Sequence, residues 1–367
     1  MTVPISQRPG RRLLVVMPSW VGDIVMATPT LRALRAVEPS DVITVLVRRS
    51  MRQLLEHCPW IDRIVSFRQK STFDRRSGLV SLAARLRRGH FDAAVLLSNS
   101  FRSALLARMA KVPHRVGYDR DGRGFLLTDR LVPRRDDGRF VPVPTLDYYL
   151  ALARYEGAQL PETRMQLFTA DEDDREADRL LANGGLCPGR ALVLLTPGAN
   201  FGDAKMWPPP RFAAVADLCH DRLDCVVAVA GSPSERPVLD AVLSAARAPI
   251  LDLESKGVGL RLLKSVVKRS SLVITNDTGP RHMAAAFGTP VLTIFGPTDP
   301  AWTEIQFDRE QQMAVKVFCG PCQKKRCPLD HRCMTRIEPQ AVFNGAARLL
   351  GAAASVEAAG PAVVSPP

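Results

Sequence analysis

Short, wholly apolar runs separated by longer stretches of mixed character set the pattern of this chain. Runs at 13–17, 42–47 and 93–97 in the first half read as buried strands of a parallel sheet. Those at 192–196, 226–230, 272–275 and 291–295 in the second read the same way. Each is followed by turn residues and then by a helical stretch. The run at 13–17 passes through Pro18-Ser19-Trp20-Val21-Gly22-Asp23 into a helix ending near Ala36. Pro29 would interrupt that helix, and with Thr28 as cap it begins a second one. A helix through Phe287 ends at Gly288. Strands alternating with helices predict an α/β fold with mainly parallel sheets in each half. Two such domains place a ligand crevice at the carboxyl ends of their strands.

A chain of 367 residues exceeds the roughly 250–300 residues at which one core stops growing, so two domains are expected. Pro161 and the acidic run 171–174 break the pattern between 159 and 174. The expected division is 1–165 and 166–351, with an Ala/Pro/Gly/Val-rich tail at 352–367 expected to be disordered. The acidic run suits the first turn of a helix better than a metal site. No run of about 20 apolar residues is present to span a bilayer, and residues 1–12 lack the apolar centre of a secretory signal. With eight unevenly placed cysteines, a reducing cytoplasm is the expected compartment.

The net charge is +13, which either reflects genomic base composition or fits an anionic partner. Arg48, Arg49, Arg52, Arg63, Arg68, Lys70, Arg75, Arg76, Arg85, Arg87 and Arg88 concentrate it in the first half. Aromatic residues make up only 6% and do not alternate with these cations, so no stacking surface for single-stranded nucleic acid is expected.

Four segments carry candidate chemistry. In Thr275-Asn276-Asp277-Thr278-Gly279-Pro280-Arg281-His282, Gly279 and Pro280 open a helix whose free amides and dipole suit a diphosphate. Asp277 or Thr278 could equally serve as its cap. Pro197-Gly198-Ala199 leads into a loop whose single cation, Lys205, precedes Met206-Trp207-Pro208. That lysine is either solvated or neutralises a departing diphosphate. Asp23, at the end of the first strand, is either a helix cap or a base that accepts a proton from an acceptor hydroxyl. Cys319, Cys322, Cys327 and Cys333 fall in one segment, 319–333. Their spacing is compatible with a structural Zn²⁺, a thiol-rich loop or labile disulfides. Cys58, Cys187, Cys219 and Cys225 read as small core residues.

Taken in order, these segments resemble the ADP-heptose lipopolysaccharide heptosyltransferases, glycosyltransferase family 9, and most of all the type that adds the second heptose. Residues 18–23, Asn99-Ser100-Phe101-Arg102-Ser103-Ala104, 197–208, 276–282 and Phe295-Gly296-Pro297-Thr298-Asp299-Pro300 carry the likeness. It implies a GT-B fold, two facing Rossmann-like domains, with acceptor on the N-terminal and nucleotide sugar on the C-terminal side. It implies inverting single displacement without an obligatory metal, with Asp23 as base. Lys205, Asp277, Thr278, Gly279 and His282 would hold the donor diphosphate, and Ser19, Asn99, Ser100 and Arg102 the acceptor. Glu235 would contact the ribose, unless it is instead buried and tied to a neighbouring arginine. The implied acceptor is an acidic lipid-linked saccharide, Kdo/heptose-lipid A, met peripherally at the cytoplasmic leaflet of the inner membrane. Pro280 and Arg281 depart from the Leu and the Ser or Met common in the family, and other nucleotide sugars fit the same motifs.

Overall fold

The computed structural model describes residues 10–68, 75–159 and 161–351. The tail expected to be disordered, 352–367, lies outside these residues, as does Lys70. The chain separates into two compact units, Met1–Phe168 with Ala301–Ile305, and Thr169–Pro300 with Gln306–Pro367. The division lies between Phe168 and Thr169, where the sequence reading places it between 165 and 166. The return of Ala301–Ile305 to the first unit has no sequence signal, and Trp302 there accepts a 2.8 Å hydrogen bond from Thr145 Oγ1 through its carbonyl.

The first unit runs β1 (Arg12–Val16), α1 (Val21–Met26), α2 (Thr28–Val37), β2 (Val42–Arg48), α3 (Arg52–Leu55), β3 (Arg63–Phe67), α4 (Arg75–Arg87), β4 (Ala93–Leu96), α5 (Phe101–Met109), β5 (His114–Tyr118) and β6 (Asp129–Leu131). A small hairpin, β7 (Arg135–Asp136) with β8 (Arg139–Phe140), and α6 (Thr145–Tyr155) complete it. Its sheet is parallel in the order β3-β2-β1-β4-β5-β6. Ala27, not Thr28, occupies the N-cap of α2, and Pro29 sits within its first turn. Thr28 instead donates to the Val25 carbonyl at 2.7 Å and accepts from the Gln166 amide at 3.1 Å.

The second unit runs α7 (Asp171–Asn183), β9 (Leu192–Thr196), α8 (Pro209–Leu223), β10 (Val226–Val229), α9 (Arg236–Ala245), β11 (Ile250–Asp252), α10 (Leu260–Arg269), β12 (Leu272–Asn276), α11 (Gly279–Phe287), β13 (Val291–Ile294), β14 (Glu310–Met313), α12 (Arg332–Thr335) and α13 (Pro339–Leu349). The sheet, again parallel, repeats the same order as β11-β10-β9-β12-β13-β14. The acidic run opens α7, where carboxylates favour the positive end of the helix dipole. Gly288 ends α11 in the left-handed region, φ 73°, where a side chain would be strained. Both sheets have the doubly wound order that leaves a topological switch between their first and fourth strands.

The central strands are buried on both faces, as their unbroken apolar runs require. In the second unit Trp207, Phe212 and Phe343 fill the space between the sheet and helices α8 and α13. Of the cysteines read as core residues, Cys58, Cys219 and Cys225 are buried but Cys187 is exposed. Its segment, Gly184-Gly185-Leu186-Cys187-Pro188-Gly189-Arg190, is a glycine- and proline-rich turn ahead of β9, outside either sheet. Among the described residues no helix is long and apolar enough to cross a membrane.

The first unit also encloses a charged cluster. Arg11 pairs with Asp41 at 2.7 Å and Glu156 at 2.9 Å, all three buried. His114 reaches Glu156 at 3.3 Å and Asp129 at 2.9 Å. The hydrogen bond to Glu156 outweighs burial and raises the imidazole above its ordinary value of 6.5. A group whose pKa rises on folding stabilises fully below its unfolded value, and that contribution is lost as pH climbs through the folded one. The stability lost in His114→Asn is therefore expected to be largest near about pH 6 and to shrink toward about pH 9. Denaturant unfolding of both proteins across that range measures it, and a pH-independent difference would refute it.

Candidate active site

The loop between β9 and α8 is set by a buried asparagine. Asn276, at the end of β12, donates from Nδ2 to the Pro197 carbonyl at 2.7 Å and accepts at Oδ1 from the Trp207 amide at 3.1 Å. One amide thus pins both ends of the loop that carries Lys205, and the Trp207 indole donates to the Ile337 carbonyl at 3.0 Å beyond it. Gly198 allows the close approach of Glu235, whose Oε1 would lie 2.0 Å from any Cβ there.

From this loop Lys205 Nζ donates to Asp277 Oδ2 at 2.6 Å and to the Asp277 carbonyl at 3.0 Å. Thr298 Oγ1 donates to the same carboxylate oxygen at 2.9 Å. Asp277 is buried, and burial alone would raise its carboxyl. The charges of Lys205 and Arg281 outweigh that and hold it below the ordinary carboxylate range. Arg281, fully buried, lies 3.4 Å from Asp277 Oδ1 and grips Glu310 with Nε and Nη2 at 2.6 and 2.9 Å. Thr293 adds a 2.5 Å hydrogen bond to Glu310. Two cations and two carboxylates are thus enclosed with their charges balanced, as burial of ions demands.

The start of α11 differs in detail from the sequence reading. Thr278 takes the N-cap position, Gly279 the first helical one and Pro280 the second. The Thr278 side chain does not cap the helix; its hydroxyl lies 3.3 Å from the Asn276 carbonyl and 3.2 Å from Thr275 Oγ1. Asp277 is committed to Lys205 rather than to a cap. Pro280 supplies no N–H, so the helix start keeps its dipole but loses one amide from its first turn. His282, expected to face the opening, is instead buried, and its Nδ1 finds no partner. Burial first, and then Arg281, push its pKa down to about 3, so the ring is neutral.

Glu235 is not tied to a neighbouring arginine, one of the two sequence alternatives. It closes a capping box with Ser232, accepting from that residue's amide and hydroxyl at 2.7 Å each. The neighbouring Arg236 is spent on Asp240, Asp252 and Glu254. The carboxylate of Glu235 is half-buried at the carboxyl end of β10.

In the first unit the segment after β1 turns directly into α1. Trp20 is the N-cap, so Asp23 lies in the first helical turn and is not the cap. It is half-buried beside Tyr149 of α6, whose phenol is raised by burial and then by the Asp23 charge. Ser19 is half-buried in the same turn. After β4, Ser100 caps α5 by accepting from the Ser103 amide at 3.3 Å, and Arg102 is exposed on that helix. Asn99 Oδ1 accepts from Arg123 Nη2 at 3.2 Å and from the Tyr148 hydroxyl at 3.1 Å. Arg123 is wholly buried and also donates to Ser103 Oγ at 3.0 Å and to the Tyr118 carbonyl at 3.0 Å. Burial lowers its pKa to about 10, which leaves it charged at neutral pH. Arg123, Tyr148, Tyr149, Thr298 and Glu310 were not legible as site residues, because each lies far in sequence from the segment it supports.

Of the four cysteines of 319–333, Cys319, Cys322 and Cys327 lie near enough to Cys333 to act on its thiol. Cys333 sits in α12 within the apolar core beside Met334, while Cys319, Cys322 and Cys327 are part-exposed. Burial, then the nearby thiols, raise the Cys333 thiol. Among the described residues no group of three His, Cys, Asp or Glu side chains is placed to hold a metal.

The second unit thus pairs a lysine with a carboxylate at a helix start, and comparison with known proteins decides the family. The profile of glycosyltransferase family 9 (heptosyltransferase) matches residues 79–332. The chain belongs to glycosyltransferase family 9. It is therefore an enzyme, a glycosyltransferase, and its two Rossmann-like units are those of a GT-B type fold. Lipopolysaccharide heptosyltransferase 2 of Salmonella typhimurium is 29% identical over 308 residues, 80% of this chain and 84% of that one. Its namesake from Escherichia coli K12 is 28% identical over 313 residues, 80% of this chain and 84% of that one. Among solved structures, E. coli ADP-heptose lps heptosyltransferase II matches with TM-score 0.76 and 26% identity, over 92% of this chain and 98% of that one. A family 9 glycosyltransferase from Veillonella parvula gives 0.80 at 22% identity, over 93% and 97%, and speaks to fold alone.

In this family 9 enzyme removal of the enclosed Arg281 strands the Glu310 carboxylate, while Asp277 keeps Lys205. Arg281→Met is expected to cost about 3–5 kcal/mol of stability, as for other broken buried pairs. Adding Glu310→Gln is expected to restore part of that loss by removing the stranded charge. Denaturant unfolding of the single and double variants measures both; an additive further loss would contradict the pairing.

Proposed function

We propose that this enzyme transfers heptose from ADP-heptose to the inner core of lipopolysaccharide, in the manner of a heptosyltransferase II. The observation that carries the reading is the Lys205–Asp277 pair at the start of α11. A diphosphate arriving there meets an ammonium group already oriented by a carboxylate and a helix dipole pointing at it. The names of the relatives supply the sugar and the acceptor.

In the proposed reaction Asp23 accepts the proton of an acceptor hydroxyl as that oxygen attacks the anomeric carbon. Attack comes from the face opposite the diphosphate, so the configuration inverts. The bond from carbon to the diphosphate oxygen breaks, and the electron pair leaves with ADP. Lys205 neutralises the charge that grows on that oxygen, and Asp277 keeps the lysine aimed. Thr278 and Gly279 border the diphosphate and Glu235 the ribose. His282, buried and neutral, shapes the helix behind them rather than donating charge. No metal is assigned to the transfer.

On the acceptor side we assign Ser19, Asn99, Ser100 and Arg102, with Arg123 and Tyr148 fixing the Asn99 amide. An acceptor bearing carboxylates and phosphates suits the exposed Arg49, Arg52, Arg63, Arg68, Arg85, Arg87 and Arg88 of the first unit. The same cations favour peripheral attachment to an anionic cytoplasmic leaflet, each adding about 1 kcal/mol near such a surface. The proposed location is the cytoplasm, at the inner membrane.

Two measurements test this. A donor panel with purified enzyme and heptose-deficient core acceptor is expected to give product with ADP-heptose; product from UDP- or GDP-sugars alone would overturn the donor. Asp23→Ala is expected to lower kcat by about 10²–10⁴-fold and to fail to restore the second heptose to a bacterial strain lacking it. Restoration by that variant at the wild-type level would remove Asp23 as base.

A further inference from the structure

The cysteine-rich segment leaves a question that its thiols do not answer. It adds little to the core: Phe318 and Leu329 are exposed, as are residues 323–326 and 328–330. Its polar contacts go instead to two loops. The Lys325 carbonyl accepts from the Ala204 amide at 3.1 Å, and His331 Nε2 lies 2.8 Å from the Ala204 carbonyl, so both backbone polar groups of one residue are held. Gly202, at φ 153°, passes so close that a Cβ there would stand 2.3 Å from the Lys325 carbonyl oxygen. On the other side the Gln323 amide donates to the Pro297 carbonyl at 2.8 Å. Met334 packs against Gly296, its sulfur 2.8 Å from where a Cβ would be.

These two loops are the ones that deliver Lys205 and Thr298 to Asp277. Ala204 immediately precedes Lys205, and Pro297 immediately precedes Thr298. Phe201, in the same loop, has Lys205 Nζ 5.1 Å and Lys325 Nζ 5.9 Å from its ring centre. The segment itself is rooted by Cys333 and Met334 in the core. We infer that the segment 318–334 is a clamp that sets Lys205 for the donor diphosphate, with His331 as its positioning residue. A loop of glycines and polar residues has many conformations to lose on ordering, and fixing the peptide before the lysine removes that cost before the ligand arrives. The inference rests on the reading of Lys205 as the diphosphate's partner.

The test uses ADP as probe with the full-length protein. His331→Ala is expected to weaken ADP binding about tenfold, and within a Lys205→Ala background to change it by less than about twofold, since the effect runs through the lysine. His331→Gln, which keeps a donor within reach of the Ala204 carbonyl, is expected to recover most of the affinity. Hydrogen exchange at the Ala204 amide reads the clamp with no ligand present and is expected to quicken in His331→Ala. Equal weakening in both backgrounds, or unchanged exchange at Ala204, would overturn the inference. Should His331→Ala not fold, Gly202→Ala pushes the segment off by its new Cβ and must show the same dependence on Lys205. If wild type binds no ADP, the donor assignment fails, while exchange at Ala204 still decides the clamp: quickened exchange upholds it and unchanged exchange refutes it.

Discussion

Charge enclosed at the end of β12 is the constraint from which the second unit takes its shape. A carboxylate as deeply buried as Asp277 must be matched by cations, and the nearest come from different directions: Lys205 from the loop after β9, Arg281 from one turn along α11. Arg281 brings a second positive charge, which Glu310 on the sheet's outer strand cancels. Each ion therefore dictates where another piece of backbone must lie. The Asn276 amide then sets the ends of the Lys205 loop, and Thr298 closes the last lone pair. Removing any member leaves an uncompensated charge in a medium that solvates it poorly. The cation that can meet a ligand is thus held by groups whose first business is neutrality.

The innermost strands, β1, β4, β9 and β12, were legible because burial on both faces leaves polar residues only at their ends. The edge strands were not. β3 begins with Arg63, β6 reads Asp129-Arg130-Leu131, and β14 reads Glu310-Gln311-Gln312-Met313. These strands have neighbours on fewer sides, so polar residues are tolerated and the apolar run that signals a buried strand is absent. Helix starts were misread by one or a few residues where a side chain of capping type serves another purpose. Thr28 bonds the distant Gln166 amide, and Asp277 bonds Lys205. The motif residues themselves were visible, since turn chemistry and a lone cation stand out locally. Their supports were not, because Arg123 behind Asn99 and Glu310 behind Arg281 are brought near only by the crossing of strands. The thiol spacing left a structural metal, a thiol-rich loop and labile disulfides open; in the fold Cys333 is buried, with the other three thiols near it.

The two units share a strand order and use it differently. After the first strand of each sheet comes the loop or turn with the reactive candidate, Asp23 in one and Lys205 in the other. After the fourth comes its companion segment, Asn99 in one and Asp277 in the other. In the first unit a buried arginine sits behind a neutral amide, leaving positive potential at the surface. In the second a carboxylate sits behind a lysine, so the potential there is nearly cancelled until a ligand displaces part of the pairing. Equivalent positions thus carry different charge pairings on one topology.

Pro280 gives the start of α11 an unusual quality. With one amide missing from the first turn, a phosphate at the proposed site would be held by the helix dipole and the Lys205 ammonium more than by a fixed set of directional bonds. Attraction of that kind falls off gently with displacement and turning, whereas hydrogen bonds weaken steeply once bent. In the proposed reaction a spent nucleotide would therefore swivel and slide outward without having to break a rigid lattice of contacts all at once.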